Sequence, residues 1–464
     1  MYLDMRGGTS LTVKACFFIL TMITSVVCTF FPYYSLVILS FVLLILLILL
    51  IDSSKFSFVV IFLLPFSFQY AIQGVQALGI DFPTHILIVF LLFKKIYEHK
   101  DKKIIVSKKD LLVLIFFLFS LLISLVNSQN IYVTLKAILR YSIYFFTIFL
   151  CFSDISMKRD NLKKLTWVII SSMLLLSIYC FYNLIIVGFD LNRSNEIGDP
   201  FFLERGSLAA FLSFGLTISF SLVLYKKSKF IQIFFVMICL WFSFIIIITQ
   251  TRGAWLGIIG FIVLHLIIER KRISKSLLTI FLLTSVVSIL LFKLGLLDSF
   301  FHRFDSINNI STDGSNIERL NRWIAAFNMF KDHPIIGLGF QTYNDNYFSY
   351  RDYNYSTGLQ SEMTMGAHSE YLKLLAETGI IGALVFIYII WITLKRGFLL
   401  SEMMGRTFEG LVVRGFLYGF LTYVIHGSVN NFLQKDKISI MFFLAFTIIS
   451  SFERIIRSQY NEKS

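Results

Sequence analysis

Long apolar runs, separated by short polar stretches, fill most of the chain. About fourteen runs are long enough to cross a hydrocarbon core ~30 Å thick, some of them only with tilt. They predict an all-α fold, a polytopic membrane helix bundle of about 12–14 spans. The predicted spans are 11–31, 34–51, 56–73, 81–97, 111–127, 137–153, 165–187, 207–225, 230–249, 253–268, 276–296, 379–394, 410–430 and 437–452.

Composition supports the membrane class. Hydrophobic residues make up 57% of the 464 positions and charged residues 15%, whereas soluble domains carry roughly 25% charged residues. The net charge of +14 could suggest nucleic acid, but the basic residues form short clusters between apolar runs, which is the pattern that orients membrane proteins. We therefore exclude nucleic acid as a partner. The five cysteines all lie inside apolar runs without a C-x-x-C pair, which predicts small apolar side chains rather than disulfides or metal ligands.

Basic residues also predict the orientation. If fourteen spans alternate, four basic loops fall on one side, which should be the cytoplasm, with both termini there and membrane lipid around the spans. The loops on the other side carry almost no Lys or Arg. The basic loops lie near 94–109, 158–164, 226–229 and 270–275, and the others near 32–33, 74–80 and 128–136.

One connection, about 297–367, is far longer than the rest, and long loops in compact proteins are usually functional. Alternation places it outside. It contains an apolar stripe at helical spacing, which predicts an amphipathic helix on the membrane surface or on the outer face of the bundle. Two arginines beside the stripe, Arg319 and Arg322, form either a solvated face or a substrate-binding pair. The stripe is Leu320, Trp323, Ile324, Phe327 and Phe330.

Four regions follow from this pattern. They are N-terminal spans over 1–200, spans carrying arginine motifs over 201–296, the external loop over 297–378, and C-terminal spans over 379–464.

His368 is the first candidate for chemistry. It stands at the N-terminal end of a short amphipathic helix that Gly379 should end. Free backbone N–H groups and the helix dipole disfavour an imidazolium at that end, so a neutral ring could accept a proton. The alternative is a histidine that caps the helix or packs under a loop. For His333, which precedes Pro334 at a helix end, we expect a structural role.

Two arginines at predicted outer span ends are the other candidates. Arg252 sits directly against two apolar runs, and Arg205 follows Glu204 at the start of a span. An arginine at membrane depth is costly and is usually paired or functional, although it can also snorkel. A planar guanidinium suits bidentate phosphate recognition. Together with His368, they predict a phosphate-bearing substrate at the outer membrane surface.

These residues resemble the O-antigen ligase and polysaccharide polymerase superfamily of bacterial inner-membrane glycosyltransferases. The resemblance covers about Glu204 to Gly382, and the first 200 residues match only as apolar spans. It rests, in order, on Arg205 at a span end, a T-x-T-R-G element ending at Gly253, the run from Arg322-Trp323 through His333-Pro334 to Gly339, and His368-Ser-Glu-Tyr-Leu followed by Ala-Glu-Thr-Gly-Ile-Ile-Gly382.

The resemblance implies a GT-C-like bundle in the bacterial inner membrane and a glycan donor carried on undecaprenyl pyrophosphate. Ligases move this glycan to lipid A-core, and polymerases move it to another lipid-linked repeat unit. By this analogy Arg205 and Arg252 would hold the pyrophosphate as it leaves, and His368 would help to deprotonate the acceptor hydroxyl. The implied enzyme is inverting, metal-independent and free of cofactors. The outer loops contain no D-x-D motif.

Two alternatives remain open. A capsule, O-antigen or teichuronic-type polymerase would share the ligase chemistry, and nothing in the sequence identifies the acceptor; we prefer the ligase type because the matching block defines that family. A transporter or flippase for a lipid-linked glycan would also need basic residues in the membrane. The sequence has no internal repeat and its candidate arginines cluster at one face, so an enzyme is favoured.

Overall fold

A computed structural model of the chain describes residues 52–71, 79–98, 107–155, 158–225, 228–269, 314–352 and 366–461. Within these ranges the protein has thirteen α-helices and one two-stranded sheet. The predicted spans 11–31, 34–51 and 276–296 lie outside the described residues.

The helices follow the predicted runs closely. They are α1 (Ser53–Leu63), α2 (Thr84–Glu98), α3 (Lys108–Ile123), α4 (Ile131–Ile155), α5 (Arg159–Ile186), α6 (Arg205–Val223), α7 (Lys229–Ile248), α8 (Arg252–Ile268), α9 (Gly314–Asp332), α10 (Tyr343–Tyr350), α11 (Glu370–Met404), α12 (Phe408–His426) and α13 (Asp436–Asn461). Among the described residues, eight helices are long and apolar enough to cross a membrane: α3 with its 3-10 extension, α4 to α7, and α11 to α13. The predicted all-α polytopic membrane bundle is confirmed.

One predicted span is shorter than its apolar run. Helix α1 ends within the run 56–73, and a 3-10 turn containing Pro65 follows it. Proline lacks the amide hydrogen that the next helical turn needs. The chain then forms strand β1 (Phe68–Ala71), which pairs antiparallel with β2 (Gly79–Phe82). The second half of the run is therefore a hairpin strand and not helix.

Small residues let the central helices approach closely. Helix α12 packs against α6, α8 and α11. A Cβ at Gly415 of α12 would lie 2.7 Å from the Cα of Ile218, and one at Gly257 of α8 would lie 3.0 Å from the carbonyl oxygen of Thr422. Glycine at such contacts is how membrane helices gain close packing. Because these helices alternate in direction, α6, α8 and α11 all begin at the bundle end where α12 finishes.

Ion pairs join the helices at the opposite end, which we call the inner end. Arg406 donates to Glu269 at the end of α8, with Nη2 and Oε2 2.7 Å apart, and Arg414 of α12 contacts the same carboxylate. Lys95 of α2 and Asp154 of α4 form another pair at 2.7 Å. These contacts neutralise charge where side chains are withdrawn from water.

Helix α9 buries a different face from the predicted stripe. Its contact with α10 and α11 uses Ala325, Ala326 and Met329, whereas Leu320 and Phe327 are 38% and 47% exposed. Small residues allow the helix to lie close to its neighbours, so the large apolar side chains are left outward. The helix itself is where the sequence predicted it.

Candidate active site

His368 lies in a short turn directly before α11. Its backbone is left-handed, with φ 51°, and its carbonyl accepts a hydrogen bond from Nε1 of Trp323 at 3.5 Å. The next residue, Ser369, is the N-cap of α11 and accepts from the amide of Leu372. The predicted helix start therefore follows His368 immediately.

The start of α11 is hydrogen-bonded to residues 427–435, which we call the α12–α13 loop. The Glu370 amide donates to the carbonyl of Gly427 at 2.8 Å. The buried Glu370 carboxylate accepts from the amide of Leu433 at 2.8 Å and from that of Phe432. Tyr371 donates to the carbonyl of Val424 at 2.7 Å. A carboxylate that accepts backbone N–H groups orders the loop around it.

Arg205 and Arg252 begin helices beside the same loop. A Cβ at Gly206 would lie 2.9 Å from Nδ2 of Asn430 and 3.9 Å from the methyl of Thr251, the residue before Arg252. The helices after the two arginines therefore start next to each other. Three helix N-termini, those of α6, α8 and α11, face the α12–α13 loop, and such ends favour anions.

The two arginines differ in their present contacts. Nη1 of Arg205 donates to the hydroxyl of Ser194 at 3.1 Å. For Arg252, which is partly buried, no hydrogen-bond or ion-pair partner is found among the residues that the structure describes. The guanidinium of Arg252 is thus available for an anionic ligand.

Arg322 is buried under the His368 turn. Its Nη2 donates to Oε1 of Glu318 at 2.6 Å, and its Nη1 donates to the carbonyl of Gly366 at 3.2 Å. The guanidinium also lies over the ring of Tyr347, 5.4 Å from the centroid. A solvated face is therefore wrong for Arg322, whose contacts hold the turn.

Burial and nearby cations keep the His368 ring neutral. Withdrawal from water, together with the positive charges of Arg322 and Arg319, lowers its pKa to about 4. Arg319 is only partly buried. The imidazole is therefore neutral at pH 7 and has a lone pair for a proton.

Two residues of the site carried no clear signal in the sequence. Nδ2 of Asn430 lies 3.2 Å from Nε2 of His426 at the end of α12. A Cβ at Gly253 would lie 2.8 Å from that same Nε2. The only hint was a histidine and two asparagines around the end of the predicted span 410–430.

Two backbone hydrogen bonds, which we call the zipper, join the segment after α9 to α11. The amides of Leu338 and Gly339 donate to the carbonyls of Ala376 and Glu377, both at 3.0 Å. A Cβ at Gly337, where φ is +70°, would lie 2.3 Å from the Glu377 carbonyl carbon. The glycines of the His-Pro-Ile-Ile-Gly-Leu-Gly run thus allow two backbones to touch.

His333 contacts residues beside this zipper and not those around His368. Its Nδ1 lies 3.2 Å from Nδ2 of Asn127, which also donates to the Gly337 carbonyl at 3.1 Å. The side chain of Glu377 accepts from the amide of Tyr343 at 3.0 Å. Within the described residues, no group of three or more His, Cys, Asp or Glu side chains could hold a metal ion.

Comparison with known families finds a match over part of the chain. The family model described as O-antigen ligase matches residues 237–387, and the resemblance to the O-antigen ligase and polymerase superfamily is confirmed. A search of curated proteins found no match. The matched stretch contains Arg252, Arg319, Arg322 and His368, whereas Arg205 and Asn430 lie outside it. The family supports a multi-pass membrane protein with a role in glycan transfer during polysaccharide assembly.

Proposed function

We propose that this protein is a membrane glycosyltransferase of the O-antigen ligase type, which moves a glycan from undecaprenyl pyrophosphate to a sugar hydroxyl. The observation that carries the proposal is the α12–α13 loop, where three helix N-termini, two arginines and a neutral histidine meet. Positive helix ends and guanidinium groups match a pyrophosphate, and the neutral ring matches an alcohol that must lose a proton.

In the proposed reaction the acceptor oxygen attacks the anomeric carbon of the donor sugar. The bond between that carbon and the phosphate oxygen breaks, and its electron pair leaves with undecaprenyl pyrophosphate. Arg252 and Arg205 stabilise the negative charge that grows on the leaving group. His368 takes the acceptor proton on a ring nitrogen. We propose that the reaction needs no metal ion, because fixed arginines provide the charge stabilisation.

The remaining candidates have separate roles in this proposal. Arg322 holds the His368 turn through the Gly366 carbonyl, and Arg319 adds positive charge beside it. Both contribute to the field that an anionic donor would meet.

Transfer by purified protein in lipid tests the proposal. The donor is an undecaprenyl-pyrophosphate oligosaccharide, the acceptors are lipid A-core and a second lipid-linked unit, and EDTA is present throughout. We expect transfer by the wild type and loss of roughly 10²–10⁴-fold in rate for His368→Ala. Arg193→Ala is the control, since Arg193 is an exposed arginine paired with Glu196 in a nearby loop.

The productive acceptor separates ligase from polymerase. Transfer to lipid A-core supports the ligase type, and transfer only to lipid-linked units identifies a polymerase. Movement of the donor lipid across the bilayer without a new glycosidic bond would instead establish a transporter and remove the assigned role of His368.

The proposed location is the bacterial inner membrane, with both termini in the cytoplasm and the site on the outer face. Ser428 in the α12–α13 loop and Glu402 near the inner end of α11 are both exposed. We expect a cysteine at 428 to react with an impermeant thiol reagent in intact cells, and one at 402 to react only after lysis. The reverse pattern would contradict the proposed side.

A further inference from the structure

We propose that His426, the last residue of α12, is a positioning residue whose imidazole holds the start of α8 and so sets the position of the Arg252 guanidinium. This inference rests on the proposed function, because Arg252 stabilises the leaving pyrophosphate there. It adds to the site a residue that lies outside the matched family stretch.

The imidazole of His426 touches the residue that follows Arg252. His426 is 1% exposed, and a Cβ at Gly253 would lie 2.2 Å from its Cδ2 and 2.8 Å from its Nε2. No side chain fits in so small a space, so glycine lets the α8 backbone lie directly against the ring. Because Gly253 is bonded to Arg252, a displacement of the ring moves the backbone that carries the guanidinium.

The α12–α13 loop holds the ring in place. The imidazole lies edge-on to the ring of Phe432, with 4.5 Å between the centroids and 75° between the planes. Its Nε2 lies 3.2 Å from Nδ2 of Asn430. The Phe432 amide in turn donates to the Glu370 carboxylate of α11. The ring is therefore tied to the loop and, through Glu370, to the helix that follows His368.

Asn430 extends these contacts to the helix that Arg205 begins. A Cβ at Gly206 would lie 2.9 Å from Nδ2 of Asn430. Gly206, Asn430, His426 and Gly253 thus form a continuous chain of contacts between the residues that follow the two candidate arginines. Two guanidinium groups that bind one pyrophosphate need a fixed spacing, and a misplacement of about 1 Å can cost roughly a hundredfold in rate.

A double-mutant cycle tests whether His426 acts through Arg252. His426→Ala should lower the transfer rate by roughly 10–100-fold in the protein that retains Arg252. In the Arg252→Ala background the same change should cost less than about threefold, because the group that the ring positions is already absent. A ring that only stabilises the fold would lower the rate by the same factor in both backgrounds.

His265→Ala is the matched control. His265 is a buried histidine near the other end of the same helix pair, where its Nδ1 lies 2.9 Å from the Tyr418 hydroxyl of α12. Its loss should lower the apparent unfolding temperature. Its effect on transfer should be the same factor with and without Arg252, because it lies far from the start of α8.

A second variant approaches the contact from α8. Gly253→Ala places a methyl group against the imidazole and should therefore lower transfer. Adding His426→Ala removes the nearest atoms that this methyl meets, so the double variant should transfer faster than Gly253→Ala alone. Adding His265→Ala to Gly253→Ala should give no such recovery.

Labelling of arginines by phenylglyoxal reports on the contact without any transfer. His426→Ala releases the start of α8, so Arg252 should react faster than in the wild type, as followed by mass spectrometry of the peptide that contains it. Arg193, an exposed arginine in a nearby loop, should react at the same rate in both proteins.

Three results would overturn the inference. They are wild-type transfer by His426→Ala, an equal fold-loss in the two arginine backgrounds, and unchanged labelling of Arg252. If the wild type transfers no glycan but His426→Ala still speeds the labelling of Arg252, the contact is supported and the proposed function is refuted, so the two failures are distinguishable.

Discussion

Buried charges are arranged differently at the inner end of the bundle and at the candidate site. At the inner end, Glu269 pairs with both Arg406 and Arg414. Arg396 similarly contacts Asp110, and Ser450 donates to the same carboxylate. Each of these arginines therefore has a carboxylate partner, as expected where a charge is withdrawn from water.

At the candidate site the anionic groups are used in another way. Glu370 accepts from backbone amides of the α12–α13 loop, and no partner for Arg252 is found in the described part of the chain. Arg252 thus differs from the inner arginines, and also from Arg322 of the candidate site, whose guanidinium donates to Glu318. This difference fits a role in stability for the inner pairs and supports the proposal that Arg252 binds the anionic donor.

The largest expected effect comes from breaking an inner pair. Glu269→Ala leaves Arg414 buried without its carboxylate, and such a change destabilises a protein by about 3–5 kcal/mol. We expect a clear fall in the apparent unfolding temperature of the purified protein in lipid. The double variant with Arg414→Met should recover much of the loss, because the buried uncompensated charge is removed and Arg406, which also loses Glu269, is partly exposed. An unchanged unfolding temperature in the single variant would contradict the structural role of the pair.

The second prediction concerns Arg252. Arg252→Ala should lower transfer by roughly 10²–10³-fold, about 3–4 kcal/mol in the barrier, with little change in unfolding temperature. Arg252→Lys keeps the charge but loses the planar fork, so an intermediate rate is expected. The rates come from the transfer assay and the stability from thermal unfolding. If Arg252→Ala instead lowers stability as Glu269→Ala does, the difference between the two regions disappears.

Periodicity predicted the spans well because membrane helices need long apolar runs. It failed at 56–73, where Pro65 ends the helix and a hairpin follows. It predicted α9 and its apolar stripe, but not that Ala325 and Ala326, rather than the large residues Leu320 and Phe327, contact the neighbouring helices. Residue size at a contact depends on the neighbouring helix, which a single sequence does not contain.

The candidate catalytic residues were easier to predict than the residues that hold them in place. Arg252 and His368 stood out because charged or titratable residues are rare beside apolar runs. Asn430 did not, since an asparagine at the end of a predicted span is an ordinary residue for that position. The buried position of Arg322 was also missed, because its partners Glu318 and Gly366 meet only after α9 docks on α11.

The third prediction compares Gly337, in the zipper beside the candidate site, with Gly188 in a loop elsewhere. Gly337 and Gly188 have similar backbones, with φ of +70° and +68°, but a Cβ at Gly188 meets no described atom within 4 Å. Gly188→Ala should cost about 1–2 kcal/mol, from left-handed strain alone. Gly337→Ala adds a clash with the Glu377 carbonyl and should cost roughly 1–3 kcal/mol more. Equal unfolding temperatures for the two variants would contradict the zipper.

The smallest expected effect is the pH dependence that His368 gives to stability. Its pKa falls to about 4 in the folded protein, from about 6.5 in an unfolded chain. Between these values the unfolded chain binds a proton that the folded protein does not, so stability falls as pH decreases from 6.5 towards 4. The loss at pH 5 relative to pH 7 should be on the order of 1 kcal/mol.

His368→Gln removes this titration while keeping a polar side chain. The variant should therefore lose less stability than the wild type between pH 7 and pH 5, as measured by the difference between its unfolding temperatures at the two pH values. The inner pairs Arg406–Glu269 and Lys95–Asp154 are present in both proteins, so their own titration cancels in the comparison. Equal losses in the two proteins would mean that the pKa of His368 is not lowered in the folded protein, which would contradict its withdrawal from water.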